Sequence, residues 1–149
     1  MKKVLIILSV VFLALTGCGK KSASISCTMD KDLGSYKLES TYKINYTGKT
    51  VDSVETVEKV TSSNSTVLDT FEKTLKETYE NANNKYGGYT IDVKKSDSEV
   101  VSTVKIDYSV MDVEQFAKDE PSIKGYIDGN KLTVDGLKAI YTAMGATCK

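Results

Sequence analysis

The chain has 149 residues, enough for one domain behind a short N-terminal segment. Its 20 basic residues, all Lys, balance 20 Asp and Glu, and it contains no Arg, His or Trp. That composition leaves no strong field and no guanidinium fork to read phosphate or guanine, which argues against a nucleic-acid partner. It also removes the commonest general base and the commonest transition-metal ligand, which lowers the expectation of an enzyme.

Lys2 and Lys3 precede an apolar run, Val4 to Leu15, broken only by Ser9. Twelve helical residues rise about 18 Å against a hydrocarbon core of about 30 Å. The run therefore reads as the core of an export signal rather than a permanent membrane span. Leu15-Thr16-Gly17-Cys18 follows and resembles the lipobox of bacterial lipoproteins. Its elements are an aliphatic residue, two small residues that let a peptidase approach the backbone, and a thiol that can carry lipid. The resemblance implies cleavage after Gly17, with residues 1–17 as the signal peptide and Cys18 as a diacylated, palmitate-type N-terminus. Two acyl chains hold a protein stably where one binds reversibly. The expected location is the extracytoplasmic face of the cell membrane. Gly19 after Cys18, rather than Asp, gives no inner-membrane retention signal of the kind diderm bacteria use.

Residues 18–26, ending in "GKKSASIS", read as a lipidated tether, and 27–149 as a single domain. An exported domain with one Cys near each end, Cys27 and Cys148, is expected to join them in a disulfide. Two free buried thiols and a redox or metal pair are the alternatives.

In the domain, "YKLESTYKINY" at 36–46 puts Tyr36, Leu38, Tyr42, Ile44 and Tyr46 on one parity, as in a half-buried strand. "TGK" at 47–49 is a turn. Val51, Val54, Val57 and Val60 then recur by threes, which fits a strand carrying a bulge. A helix is expected over Thr66–Tyr86, with Leu68, Phe71, Leu75 and Tyr79 on one face and Gly87-Gly88 as its stop. Tyr89, Ile91 and Val93, then Val100, Val104, Ile106 and Tyr108, read as a second hairpin. Asp112 and Gln115 open a short helix burying Val113 and Phe116, and Pro121 ends it. Residues 127–136 form a connector, and Leu137, Ile140, Tyr141 and Met144 line a final helix before Cys148. The order ββαββαα predicts an α+β fold: an antiparallel sheet of about four strands with two or three helices on one face.

Candidate chemistry is thin. Tyr36, Tyr42 and Tyr46 on one strand face could form a ligand platform, although such stripes are more often core. Asp128, Asn130 and Asp135 lie near a Gly-rich turn without calcium-loop spacing. Asp92 and Asp107, on strands expected to be neighbours, are a nominal acid–base pair. No nucleophile motif, phosphate loop, metal signature or cofactor signature occurs. The lipobox, the Lys/Ser tether, Cys27, the amphipathic middle helix and the ending "GATC" (Gly145 to Cys148) together resemble the YehR-like small bacterial lipoproteins. That resemblance supports the fold and the address and implies no substrate. The expectation is a non-catalytic domain that binds a small ligand or an envelope protein. The alternatives are an accessory subunit of an envelope complex or, further off, an enzyme using carboxylates and Tyr.

Overall fold

Period-two alternation of apolar and polar residues drives five long strands into one antiparallel sheet. The structure, a computed structural model, describes residues 21–149. Cys18 and the expected signal segment lie outside the described residues. The strands are β1 (Ser22–Asp32), β2 (Lys37–Thr47), β3 (Thr50–Thr61), β4 (Tyr89–Lys95) and β5 (Glu99–Asp107). The helix α1 (Ser65–Tyr86) joins β3 to β4. After β5 come α2 (Val113–Asp119), a 3₁₀ turn (Pro121–Tyr126), a small ladder of β6 (Ile127–Asp128) with β7 (Lys131–Leu132), α3 (Val134–Ala143) and β8 (Thr147–Cys148). The main sheet runs β4-β5-β3-β2-β1-β8. Among the described residues, no helix is long and apolar enough to cross a membrane.

The α+β class and both expected hairpins stand, but the sheet has six strands rather than about four. The largest departure is at the start. Ser22–Ser26, read from its small polar residues as tether, is the first part of β1 and pairs with β2 from Ser22↔Thr47 onward. Ala23, Ile25, Cys27 and Met29 alternate with Ser, Thr and Asp there, and a full-length partner strand satisfies the backbone. The domain thus begins before Cys27. Other shifts are smaller. Pro121 opens the 3₁₀ turn as well as closing α2. α3 starts at Val134, capped by the Thr133 hydroxyl, which accepts from the Gly136 N–H. Met144 caps α3 from an exposed position instead of lining its buried face.

The Val spacing in β3 has the expected explanation. Asn45 pairs with Ser53 and Tyr46 with Val51, so Asp52 is an extra, bulged residue. Its carbonyl accepts from the Tyr108 N–H at 3.0 Å. Val51, Val54 and Val60 are buried as a result, while Val57 faces out. One sheet face carries all the apolar parities. α3 covers one part of it, packing Leu137 and Tyr141 with Cys27, Tyr42, Ile44 and Val54. α1 covers another, packing Leu68, Phe71 and Leu75 with Val60, Val100 and Val93. α1 is capped at Asn64, whose side chain accepts from the Thr66 N–H, and it stops at Gly87 and Gly88. A Cβ on Gly88 would lie 2.6 Å from the Asp107 carbonyl, so only glycine fits where the helix turns into β4.

Cys27 and Cys148 oppose each other across β1 and β8 and are joined by a disulfide. The adjacent pair, Ser26 and Lys149, exchanges both backbone hydrogen bonds, at 3.2 and 2.9 Å. The cysteines therefore occupy the non-hydrogen-bonded site, where opposed side chains come closest. A two-residue edge strand has little hold of its own. Closing a separation of 121 residues contributes about 5 kcal/mol in the chain-entropy model. The Cys27→Ser/Cys148→Ser variant is expected to lose roughly 2–5 kcal/mol in urea unfolding, with faster hydrogen exchange at the Ser26 amide. Unchanged stability and exchange would contradict this role.

Candidate functional site

The register of the central strands lines up three polar side chains beneath the helices. Ser40 on β2 opposes Glu58 on β3, and Glu58 opposes Ser102 on β5. Opposed residues on one sheet face stand about 4.5–5.5 Å apart at Cβ. Ser40 and Ser102 are polar exceptions in apolar parities, Ser40 between Leu38 and Tyr42 and Ser102 between Val100 and Val104, while Glu58 lies between Thr56 and Val60. The next row holds Tyr42, Thr56 and Val104. Tyr141 from α3 stacks on Tyr42 with ring centroids 4.2 Å apart. Tyr79 from α1 and Tyr141 lie within electrostatic reach of Glu58 and of each other.

This row is buried and under-satisfied. Ser40 and Tyr42 are each 3% exposed and Ser102 is 0% exposed. The hydroxyls of all three lack a hydrogen-bond partner. A buried polar group left so costs about 1–3 kcal/mol, so the fold gains nothing from these oxygens as they stand. Glu58 is half-buried, and burial pushes its carboxyl up with no neighbouring cation to hold it down. Burial also raises the phenols around it. Tyr79 is pushed up to about 12, with the Glu58 charge adding to burial. Tyr141 is raised by burial and by Tyr42, with the Thr56 hydroxyl pulling the other way. Tyr42 rises through burial, opposed by the nearby Ser40 hydroxyl, with which it makes no hydrogen bond.

Chemically, the row accepts hydrogen bonds and attracts positive charge. Phenols held this high are poor bases near neutral pH, and Glu58 has no second carboxyl or imidazole beside it to share acid–base work. The residues singled out from sequence are dispersed. Asp128 lies in β6, Asn130 in the turn after it and Asp135 in the first turn of α3. Among the described residues, no group of three or more Cys, Asp or Glu is placed to hold a metal ion. Asp92 pairs with Thr103, four residues along β5 from Asp107, so that carboxylate pair does not meet.

The three expected tyrosines also part company. Tyr42 is core beside the row. Tyr46 is half-buried at the edge of the cluster under α3. Tyr36 lies in the other cluster, its ring edge-on to Phe71 at 4.8 Å. Tyr36 and Phe71 border a shallow concavity of about 260 Å³ with Asn64, Thr66 and Thr70. A larger dent of about 380 Å³ lies on the uncovered sheet face, around Thr41, Val57 and Lys59. Its charges are mutually paired, Lys59 with Glu39 and Glu99, Lys37 with Asp30 and Glu39. Of the unpartnered buried residues only Ser40 borders the larger dent and none borders the smaller, so the row, where all three gather around Glu58, remains the best candidate.

No protein-family model matches the chain, and no curated protein matches it in sequence. Solved structures do share its fold. An NMR structure of a protein from Streptococcus pneumoniae TIGR4 aligns over 100% of this chain and 96% of its own, at 22% identity and a TM-score of 0.52. The NMR structure of the E. coli YehR protein aligns over 87% of this chain and 92% of its own, at 17% identity and a TM-score of 0.56. At these identities the likeness carries the fold and no activity. The YehR resemblance drawn from sequence layout extends to the architecture.

A carboxyl raised by burial destabilises the fold as pH rises. Below the ordinary glutamate value of 4.5, folded and unfolded chains both hold the proton. Above it the unfolded chain releases the proton first, and stability falls until the raised folded value is passed. Asp119, held down to about 2 by Lys85, Gln115 and Tyr86, changes stability only at lower pH. The expected outcome is that Glu58→Gln removes a decline in urea midpoint that wild type shows as pH rises from about 4 to 8. Parallel pH profiles for the two proteins would contradict it.

Proposed function

We propose that this chain is a YehR-like, lipid-anchored extracytoplasmic protein whose domain binds a small polar ligand without transforming it. The observation that carries the binding reading is the Ser40–Glu58–Ser102 row with Tyr42 beside it, which together hold three buried hydroxyls that no protein group satisfies. The anchor reading rests on the lipobox residues Leu15 to Cys18, supported by a disulfide that belongs in an oxidising compartment. It gains a geometric consequence from the early start of β1. Three residues separate Cys18 from Ser22, and the four Cα-to-Cα steps reach at most about 14 Å, so the lipid holds this end of the sheet close against the bilayer.

Two measurements test the reading. In cells fed a clickable fatty acid, the full chain is expected to take up label and sediment with membranes, and Cys18→Ser to lose both; label retained by the variant would overturn the anchor. For binding, full-length protein in detergent micelles is titrated by NMR with small amines, small carboxylates and neutral sugars in turn. Saturable shifts confined to the neighbourhood of Ser40, Glu58 and Ser102 are expected with at least one class. No saturable shift there with any class would overturn the binding site.

A further inference from the structure

The geometry points to the Ser40–Glu58–Ser102 row as a site for a primary ammonium group, the head of a small aliphatic amine. This deepens the binding reading above and rests on it. The row supplies a carboxyl at its centre, a serine hydroxyl on either side and the Tyr42 hydroxyl one row away. Ser40 Oγ, Tyr42 OH and Ser102 Oγ are all unpartnered and more than nine-tenths buried. A primary ammonium has three N–H donors and no acceptor. It can give hydrogen bonds to Glu58 and to the hydroxyl of one flanking serine or of Tyr42, and its charge neutralises the carboxylate, the one partner this carboxyl lacks.

Every element packed around the row agrees in sign. The titratable groups facing Glu58 are Tyr42 from β2, Tyr79 from α1 and Tyr141 from α3, and β5 contributes Ser102. None is a cation, so an anionic ligand would meet an acid with nothing to balance it. A metal ion would find a single carboxyl where calcium wants six to eight oxygens. The tyrosine rings add faces that attract a desolvated cation. Glu58 and Tyr79 keep partial contact with solvent while the hydroxyls do not, which sets the Glu58 side as the way in.

The test is an NMR titration of the full-length protein with n-butylammonium chloride at pH 7. Tetramethylammonium, n-butanol and sodium chloride at matched ionic strength serve as controls. Butylammonium is expected to saturate at millimolar concentrations, to move resonances of Ser40, Glu58 and Ser102, and to bind about tenfold or more weakly to Glu58→Gln. Tetramethylammonium, which has no N–H, and butanol, which has no charge, are expected not to compete. Equal binding of either control, or affinity unchanged in Glu58→Gln, would overturn the ammonium assignment. So would saturation by a sugar or a carboxylate but not by the amine, and that outcome leaves the row as a binding site for another class. Silence with every probe removes the site itself, and the hydroxyls then hold water alone.

Discussion

One extra residue in one strand decides what lies under the helices. The turn after β2 sets Tyr46 opposite Val51, and continuing that pairing without interruption would place Val57 opposite Ser40. Asp52 bulges out, the register slips by one, and Glu58 takes that place. The same slip brings Val54 and Val60 inward together with Val51 and turns Val57 to solvent. The bulge is held from two sides: the Asp52 carbonyl accepts from Tyr108, and its carboxylate accepts from the Thr47 hydroxyl at 2.7 Å. Burying two valines repays burying one carboxyl. A protein that needed only the valines would be expected to carry a neutral residue at position 58.

The outer strand β1 links the rest. Its N-terminal end follows the lipobox-like residues Leu15 to Cys18, its length pairs with β2, and its middle is bonded to the C-terminus through Cys27 and Cys148. On the anchored reading, any pull from the membrane enters the sheet through a strand that the chain's other end fastens in place. α3, immediately before β8, carries the Tyr141 that roofs the candidate row. The disulfide thus steadies one wall of that row as well as the sheet edge.

Much of this was legible residue by residue. The alternation around Tyr42 and Ile44, the α1 stripe with its Gly-Gly stop and the Asp112 cap each follow from a local rule and recur in the structure. Ser22–Ser26 hides its strand because its composition is that of a linker. Its alternation emerges only when Ala23 and Ile25 are counted with Cys27 and Met29, and a partner strand is what makes it a strand. The candidate row was hidden differently. Ser40 and Ser102 are each visible as polar residues in an apolar parity and Glu58 is not, and the three are 18 and 44 positions apart along the chain. Nothing local says that they share one line across three strands. The bulge sets half of that register and the β3–α1–β4–β5 crossover sets the rest.

The central claim is that the fold tolerates these hydroxyls rather than using them. Urea unfolding of the Ser40→Ala/Ser102→Ala variant tests it most directly. Removing unpartnered buried hydroxyls, which leaves methyl groups in place of hydroxymethyls, should leave stability unchanged or raise it, by about 1 kcal/mol or more. A loss of about 1 kcal/mol or more per site would mean that the folded protein itself satisfies them, and the case for a ligand at the row would fail.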